Sequence, residues 1–285
     1  MQVAFVVVNY NNTKYTKDLI ESIVAMQGYT NQRVIIVDND SCSEEKQLLK
    51  DLPSIYNNID IIYSETNVGY FPGLNIGLSE LSKSGHDYDA IIIGNNDLIF
   101  PKQFLTNLYH KEELLNRYSV IAPDIVDLDG NHQNPHVVGR VSEFRERVYD
   151  LYYSNFHLAN LITKVASLTK RVSDRSDEEQ FEKPQEIYQG FGACYILGKA
   201  FMHKYGQLNM PCFMYHEELF LAHQLELGGE KVWYEPSIMV KHVGKASTGS
   251  MQSLWRWRVA RDAHVEYRKI IPTRLWKWLN FKNNN

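Results

Sequence analysis

Apolar positions along this chain follow two alternating rhythms. Residues 3–8 form an unbroken apolar, β-branched run, which predicts a strand covered on both faces. Polar Asn9-Tyr10-Asn11-Asn12 follows, and Leu19, Ile20, Ile23 and Val24 then recur at the spacing of an amphipathic helix over 16–26. Residues 34–37 predict a second strand that stops at Asp38-Asn39-Asp40-Ser41. After it come a helix near 44–51, a third strand at 59–63, a glycine-rich loop in ETNVGYFPGLNIGL, and a strand at 90–93. This βαβαβ order predicts an α/β fold with a largely parallel, Rossmann-like sheet and right-handed crossovers. Ligands of such sheets sit beyond the carboxyl ends of the strands. Asn9, Asp38, Asn67 and Asp97 all follow strands at that end and can converge on one crevice.

The second half is less regular. Residues 141–168, rich in Tyr, Phe and Leu with basic residues between, read as helical. The run KRVSDRSDEEQFEK at 170–183 has no apolar periodicity and reads as a solvated loop, with a lid over the site as the sharper alternative. Order returns from Ile187, and neither an internal repeat nor an apolar segment of membrane-spanning length is visible.

Composition narrows the class. With 285 residues, 44% of them hydrophobic, the chain can bury a large core and makes one large domain, or one domain with an appendage. A net charge of −4 gives the whole molecule no pull on nucleic acid. Cys42, Cys194 and Cys212 are odd in number and lack a CxxC pairing, which supports neither a disulfide framework nor a zinc site. They read as reduced thiols of a cytoplasmic protein. MQVAFVVVNY lacks a basic region and a cleavage site, so it reads as the first strand and not as a signal peptide.

The pieces VVVNYNN, VIIVDNDS, TNVGYFPGLNIG, IIIGNNDLIF, GFGACYILGK, FMYHEELFLAHQLELGG and YEPSIMVKHVGKAS, in that order, resemble glycosyltransferase family 2 across residues 3–270. More narrowly they look like its bacterial polysaccharide branch of rhamnosyl- and galactofuranosyltransferases. The resemblance implies a GT-A fold over 1–250, with a nucleotide-sugar-binding half (1–100) and an acceptor-binding, catalytic half (101–250) that carries the charged loop 170–183. A mixed sheet and a helical tail would complete it. It also implies a nucleoside-diphosphate sugar donor, narrowed to a UDP- or dTDP-sugar by Asp38, a divalent cation (Mn²⁺ or Mg²⁺) and inversion at the anomeric carbon.

Roles carry over residue by residue. GNNDLIF stands where the family has its DxD motif, so Asp97 would hold the cation that bridges the donor's phosphates. Asn95 replaces the first acidic position, and Asn96 sits between them on the donor side. A metal-independent mechanism stays open because Asn95 is neutral. Asp38 matches the residue that reads the base, where a carboxylate can accept from the imide N3–H of uracil or thymine. Asn9 and Tyr10 match the first-strand nucleoside motif, and Asn67, Gly69 and Asn75 match positions around the donor pocket. Glu218 matches the general base that takes the acceptor proton, with Glu217 as the fallback. His242 matches a histidine that completes the metal or diphosphate site, and Lys245 and Ser247 would add phosphate contacts. Gly190, Gly192 and Ala193 match an acceptor-side floor where small residues leave room for sugar.

From 251 onward eight basic residues face two acidic ones, interleaved with Trp255, Trp257, Trp276 and Trp278. This extension suits peripheral docking on an anionic membrane, with a lipid-linked glycan as acceptor on the cytoplasmic face. The alternative is that its tryptophans pack on the catalytic domain. Among rival functions, a dehydrogenase would need GxGxxG where NYNNTKY stands. A sugar nucleotidylyltransferase would need a glycine-rich basic N-terminal loop that is missing. A non-catalytic nucleotide- or carbohydrate-binding module remains the alternative of a different class.

Overall fold

The computed structural model describes residues 1–30, 32–168, 177–244 and 254–283. Among them nine strands form one sheet. Strands β1 (Val3–Asn9), β2 (Arg33–Asp38), β3 (Ile59–Tyr63) and β4 (Ala90–Asn95) are parallel neighbours in the order β3-β2-β1-β4. The sheet then becomes mixed. β8 (Cys194–Gly198) runs antiparallel to β4, next comes β6 (Val120–Asp127), and then β9 (Val232–His242), which carries β5 (Leu98–Ile99) and β7 (Gln185–Ile187) along its edge. Alternate β1 side chains face opposite ways into two cores. Phe5 and Val7 meet Leu19 and Ile23 of helix α1 (Thr13–Val24), while Ala4 and Val6 meet Phe71, Leu74 and Leu78. Burial on both faces is why β1 lacks an alternating polar pattern.

Helices α2 (Ser43–Lys50) and α3 (Leu52–Ile55) connect β2 to β3. The glycine-rich stretch expected to be a loop instead forms helix α4 (Tyr70–Lys83) from its sixth residue onward. Phe71, Leu74, Leu78 and Leu81 give it a buried stripe, and the glycines let that stripe approach the sheet. A Cβ at Gly77 would lie 2.3 Å from Val6 Cγ1. Glycine thus serves helix–strand contact here and not chain reversal. The exception is Gly69, whose φ of +95° starts the helix and whose missing side chain would meet Phe213 O at 1.8 Å.

Helices α5 (Phe104–Tyr109) and α6 (Glu112–Arg117) lead into β6. The 141–168 region divides into α7 (Glu143–Ser154), capped by Ser142, and α8 (Phe156–Leu168). Asn155 separates them with extended backbone and an Oδ1 that accepts from the N–H of His157. Of the charged run, 177–183 is anchored through Asp177 and Phe181, while Glu179, Gln180, Glu182 and Lys183 stay exposed. Asp177 Oδ2 accepts from Val138 N, Phe181 O accepts from the Tyr234 hydroxyl, and His132 stacks on the Phe181 ring at 3.7 Å. The rest of that run, 170–176, lies outside the described residues.

After α9 (Lys199–Lys204), α10 (Glu217–Leu227) and β9, helices α11 (Leu254–Ile270) and α12 (Arg274–Asn283) fold back on α7. A buried carboxylate makes the joint. Asp150 of α7 meets His264 Nε2 at 2.9 Å and Arg268 Nε at 2.7 Å, and also accepts from the Thr273 hydroxyl. Arg268 pairs with Glu146 as well. Trp257 and Trp276 are buried, with Trp257 Nε1 donating to Tyr152 O, while Trp255 and Trp278 face outward. Each tryptophan pair therefore divides between packing and exposure. No described helix is long and apolar enough to cross a membrane.

Candidate active site

Strand register brings the predicted crevice together. Asn9 pairs with Asp38, and Val8 with Asn95, so the ends of β1, β2 and β4 lie side by side. Their polar side chains first satisfy one another. Asn9 Nδ2 donates to Asp38 Oδ1 (3.0 Å) and Ser41 Oγ (3.2 Å), while its Oδ1 accepts from Thr16 Oγ1 and Asn96 Nδ2. Asp38 Oδ2 also accepts from Ser41 N, and the residue is 0% exposed. Asn9, Asp38 and Asn96 thus tie the loops after three strands into one rigid rim, with Tyr10 exposed on it. In the next loop Asn67 Oδ1 accepts from Asn39 Nδ2 and Gly69 N. Asn75 lies apart on α4, its amide bonded in both directions to the Leu208 backbone.

Beyond β4, Asp97 and His242 are brought together by β5–β9 pairing, which sets Leu98 opposite His242. Asp97 is 8% exposed, and its Oδ2 accepts from Gly244 N. Its Oδ1 lies 3.3 Å from His242 Nε2 without hydrogen-bond alignment to it, and that oxygen has no donor among the described residues. Gln133 Oε1, 2.8 Å from His242 Nδ1, places the ring proton there and leaves the Nε2 lone pair toward the carboxylate. Two acceptors facing each other in a buried place fit a shared cation. Two donors on one ion with bonds of about 2.1 Å sit roughly 3 Å apart, close to the spacing seen here. Among the described residues no group of three His, Cys, Asp or Glu could hold a metal, so remaining ligands would come from elsewhere. Lys245 and Ser247 lie outside the described residues.

The β4–β8 pairing brings the segment 190–194 alongside, with Asn95 N donating to Ala193 O. Protein atoms border the two glycines. A Cβ on Gly190 would meet the Tyr195 ring at 2.7 Å, and one on Gly192 would meet Glu218 Oε1 at 2.7 Å. Gly192 N donates to that same oxygen at 3.0 Å. Before α10, Tyr215 and His216 adopt consecutive left-handed conformations (φ 71° and 65°), which non-glycine residues rarely take. This sharp entry aims the adjacent glutamates differently. Glu217 is 7% exposed and accepts from Tyr215 N at 3.0 Å. Burial, then the Glu218 charge, pushes its pKa up to about 8. Glu218 instead lines a cavity of about 240 Å³. A Glu217 that keeps its proton at neutral pH suits a base poorly, whereas Glu218 has a donor to orient it and space to reach.

Tyr70, at the start of α4, reaches the 190–194 segment. Its hydroxyl donates to Gly192 O at 2.9 Å, and its phenol is pushed up by burial and then by Cys194, Glu217, Asp97 and Glu218. Tyr70 and Gln133 were not recognised from sequence. Tyr70 directly follows Gly69, the one residue in its stretch with positive φ, and that adjacency is the signal available. A larger depression of about 620 Å³, bounded by Gln2, Arg33, Asp60 and Tyr88, opens at the opposite, amino-terminal ends of the parallel strands. It gathers none of these groups.

The family model for Glycosyl transferase family 2 matches residues 4–175. That range includes Asn9, Asp38, Asp97 and Gln133 and stops before Glu217. No curated protein matches the chain. Among solved structures, TarS 1-349 of S. aureus superposes with a TM-score of 0.56 at 14% identity, covering 85% of this chain and 60% of that one. The same TarS segment with UDP-GlcNAc gives 0.59 at 15%, covering 94% and 67%. GalNAc-T7 with UDP, GalNAc and Mn²⁺ gives 0.62 at 12%, covering 94% and 48%. At such identities the likeness is one of fold, and the chain spans about three-fifths of the first of these structures.

Proposed function

The chain belongs to glycosyl transferase family 2, and from that premise we propose that it moves a sugar from a UDP- or dTDP-sugar to a glycan hydroxyl, inverting the anomeric carbon. The observation that carries the reading is Glu218, a carboxylate held by the Gly192 N–H and facing a cavity, in a fold that also sets Asp97 beside His242 through β5–β9 pairing. In the transfer, Glu218 takes the acceptor's hydroxyl proton as the oxygen bonds to the anomeric carbon. The bond to the diphosphate breaks with its electron pair leaving on the phosphate oxygen. Asp97 and His242 would hold Mn²⁺ or Mg²⁺, whose charge offsets that of the leaving diphosphate.

Asn9, Asp38, Asn67 and Asn96 act on the nucleoside by fixing the pocket rim, with Tyr10 and Gly69 beside it. Direct acceptance of a pyrimidine N3–H by Asp38 needs the second lone pair of an oxygen that is covered. UDP is the favoured carrier, supported by the UDP-GlcNAc of the TarS structure and the UDP of the GalNAc-T7 structure. The finer assignment is the bacterial polysaccharide branch, with a lipid-linked acceptor on the cytoplasmic face. Exposed Trp255 and Trp278 among basic residues favour peripheral contact with an anionic membrane.

The test is a thermal-shift series with UDP, dTDP, GDP and CDP, each with and without Mn²⁺. A ligand at a hundred times its dissociation constant stabilises the folded chain by about 2.7 kcal/mol. A shift with UDP or dTDP that Mn²⁺ enlarges is expected, and absence of any nucleotide shift would overturn the reading.

A further inference from the structure

Behind the Asp97–His242 pair stands one uncharged side chain, that of Gln133. Its segment follows β6 and is pinned back onto it at three successive residues. Gln133 N donates to Ile125 O at 2.7 Å. Before it, His132 Nδ1 lies 2.8 Å from Asp124 Oδ1 and the ring stacks on Phe181. After it, Asn134 is 0% exposed, donates to Pro123 O and accepts from Phe191 N. With both neighbours fixed, the half-buried Gln133 amide is delivered to one place, 2.8 Å from His242 Nδ1.

A neutral imidazole carries one ring N–H, and two acceptors compete for it here. Asp97 Oδ1 lies 3.3 Å from Nε2, and an ionised acceptor forms the stronger hydrogen bond. Left to itself the ring would put its proton on Nε2, tie up Asp97 and close the place between them. An acceptor held at Nδ1 opposes that outcome. With the proton on Nδ1, bonded to Gln133 Oε1, the Nε2 lone pair faces Asp97 Oδ1, an oxygen with no donor among the described residues. The amide does this without adding a charge.

We propose that Gln133 is a positioning residue that selects the Nδ1–H tautomer of His242 and so keeps the Asp97–His242 pair open to a divalent cation. The cation rests on the transferase reading, whereas the tautomer belongs to the chain alone and can be measured without metal. Two substitutions of similar size separate this role from packing. Gln133→Glu keeps an acceptor and has no donor, so it enforces the Nδ1–H tautomer, while Gln133→Leu offers the ring nothing. ¹H–¹⁵N correlation of the imidazole nitrogens reads the tautomer in the metal-free protein at pH 9, with the His242 signal identified by its loss in His242→Gln. Electron paramagnetic resonance of free Mn²⁺, with UDP present, reads the affinity.

Wild type and Gln133→Glu are expected to show Nδ1–H, and Gln133→Leu Nε2–H. Mn²⁺ affinity should fall about 10–100-fold in Gln133→Leu, the range for loss of such a partner, and be equal or higher in Gln133→Glu. An Nε2–H ring in the wild type, with the amide turned to donate to Nδ1, would overturn the proposal. So would a tautomer that Gln133→Leu leaves unchanged, or an equal loss of Mn²⁺ in both variants, which is the mark of packing alone. The expected tautomers in a protein that takes up no Mn²⁺ would uphold the selection by Gln133 and remove the cation from the transferase reading.

Discussion

At the residue scale, the adjacent glutamates of α10 divide into two roles because one is enclosed and the other faces a cavity. Replacing Glu218 by Gln should lower sugar transfer by about 10²–10⁴-fold, the range for loss of a general base, while the UDP thermal shift is retained. Donor turnover and thermal shift measured on the same preparation check this. Gly192→Ala should act on the same step from the opposite side, since its Cβ would crowd Glu218 Oε1 at 2.7 Å. Transfer should fall about tenfold or more with little change in donor binding. Glu217 predicts a pH effect of defined sign. Its pKa rises from the ordinary 4.5 to about 8 on folding, so between these values the folded chain binds more protons than the unfolded one. Stability from this group falls as pH rises across that window and stays low above it. Glu217→Gln should flatten that slope and raise Tm at pH 9 by a few degrees, at about 2–4 °C per kcal/mol. Parallel melting curves for the two proteins from pH 5 to 9 would remove the raised Glu217 from the account.

At the element scale, two joints set the geometry. Helix α4 reaches β1 only because Gly77 has no side chain. Gly77→Ala should overpack that contact and cost about 1–3 kcal/mol, a Tm loss without selective loss of nucleotide binding. The α7–α11 joint depends on Asp150, 0% exposed, which holds His264 and Arg268. Asp150→Ala leaves a buried guanidinium short of a partner, and breaking such a pair costs about 3–5 kcal/mol. Burial pushes Asp150 up, but His264, Thr273 and Arg268 outweigh it and hold it below the usual range. Its contribution is therefore present above the unfolded carboxylate pKa and lost as pH falls through the lower folded value. Acid denaturation should loosen α11 and α12 before the parallel sheet, which hydrogen exchange resolved by peptide would show.

At the scale of the whole molecule, the outward tryptophans carry the membrane prediction. Anionic liposomes should bind the chain at low salt, and Trp255→Ala with Trp278→Ala should weaken that binding several-fold, while zwitterionic liposomes bind neither protein. By itself the sequence determined the parallel half and the location of its crevice, because a run of β-branched residues buried on both faces reads directly as a strand and its polar end as a rim. Asn9, Asp38 and Asp97 were legible as candidates because each follows such a run, whereas Glu218 and His242 were legible only through the family motifs they match. Only the tertiary structure decided what these groups do to one another. Asp38 and Asn9 proved to satisfy each other, and Gly192 proved to leave room for Glu218. Gln133 and Tyr70 joined the site, and α11 became a wall of the cavity instead of a free tail. Those relations depend on contacts between residues far apart in the chain, such as Gln133 with His242 and Asp150 with Arg268. Local periodicity carries no information about which distant side chain will occupy the space a glycine leaves, or about which of two adjacent carboxylates folding will remove from water.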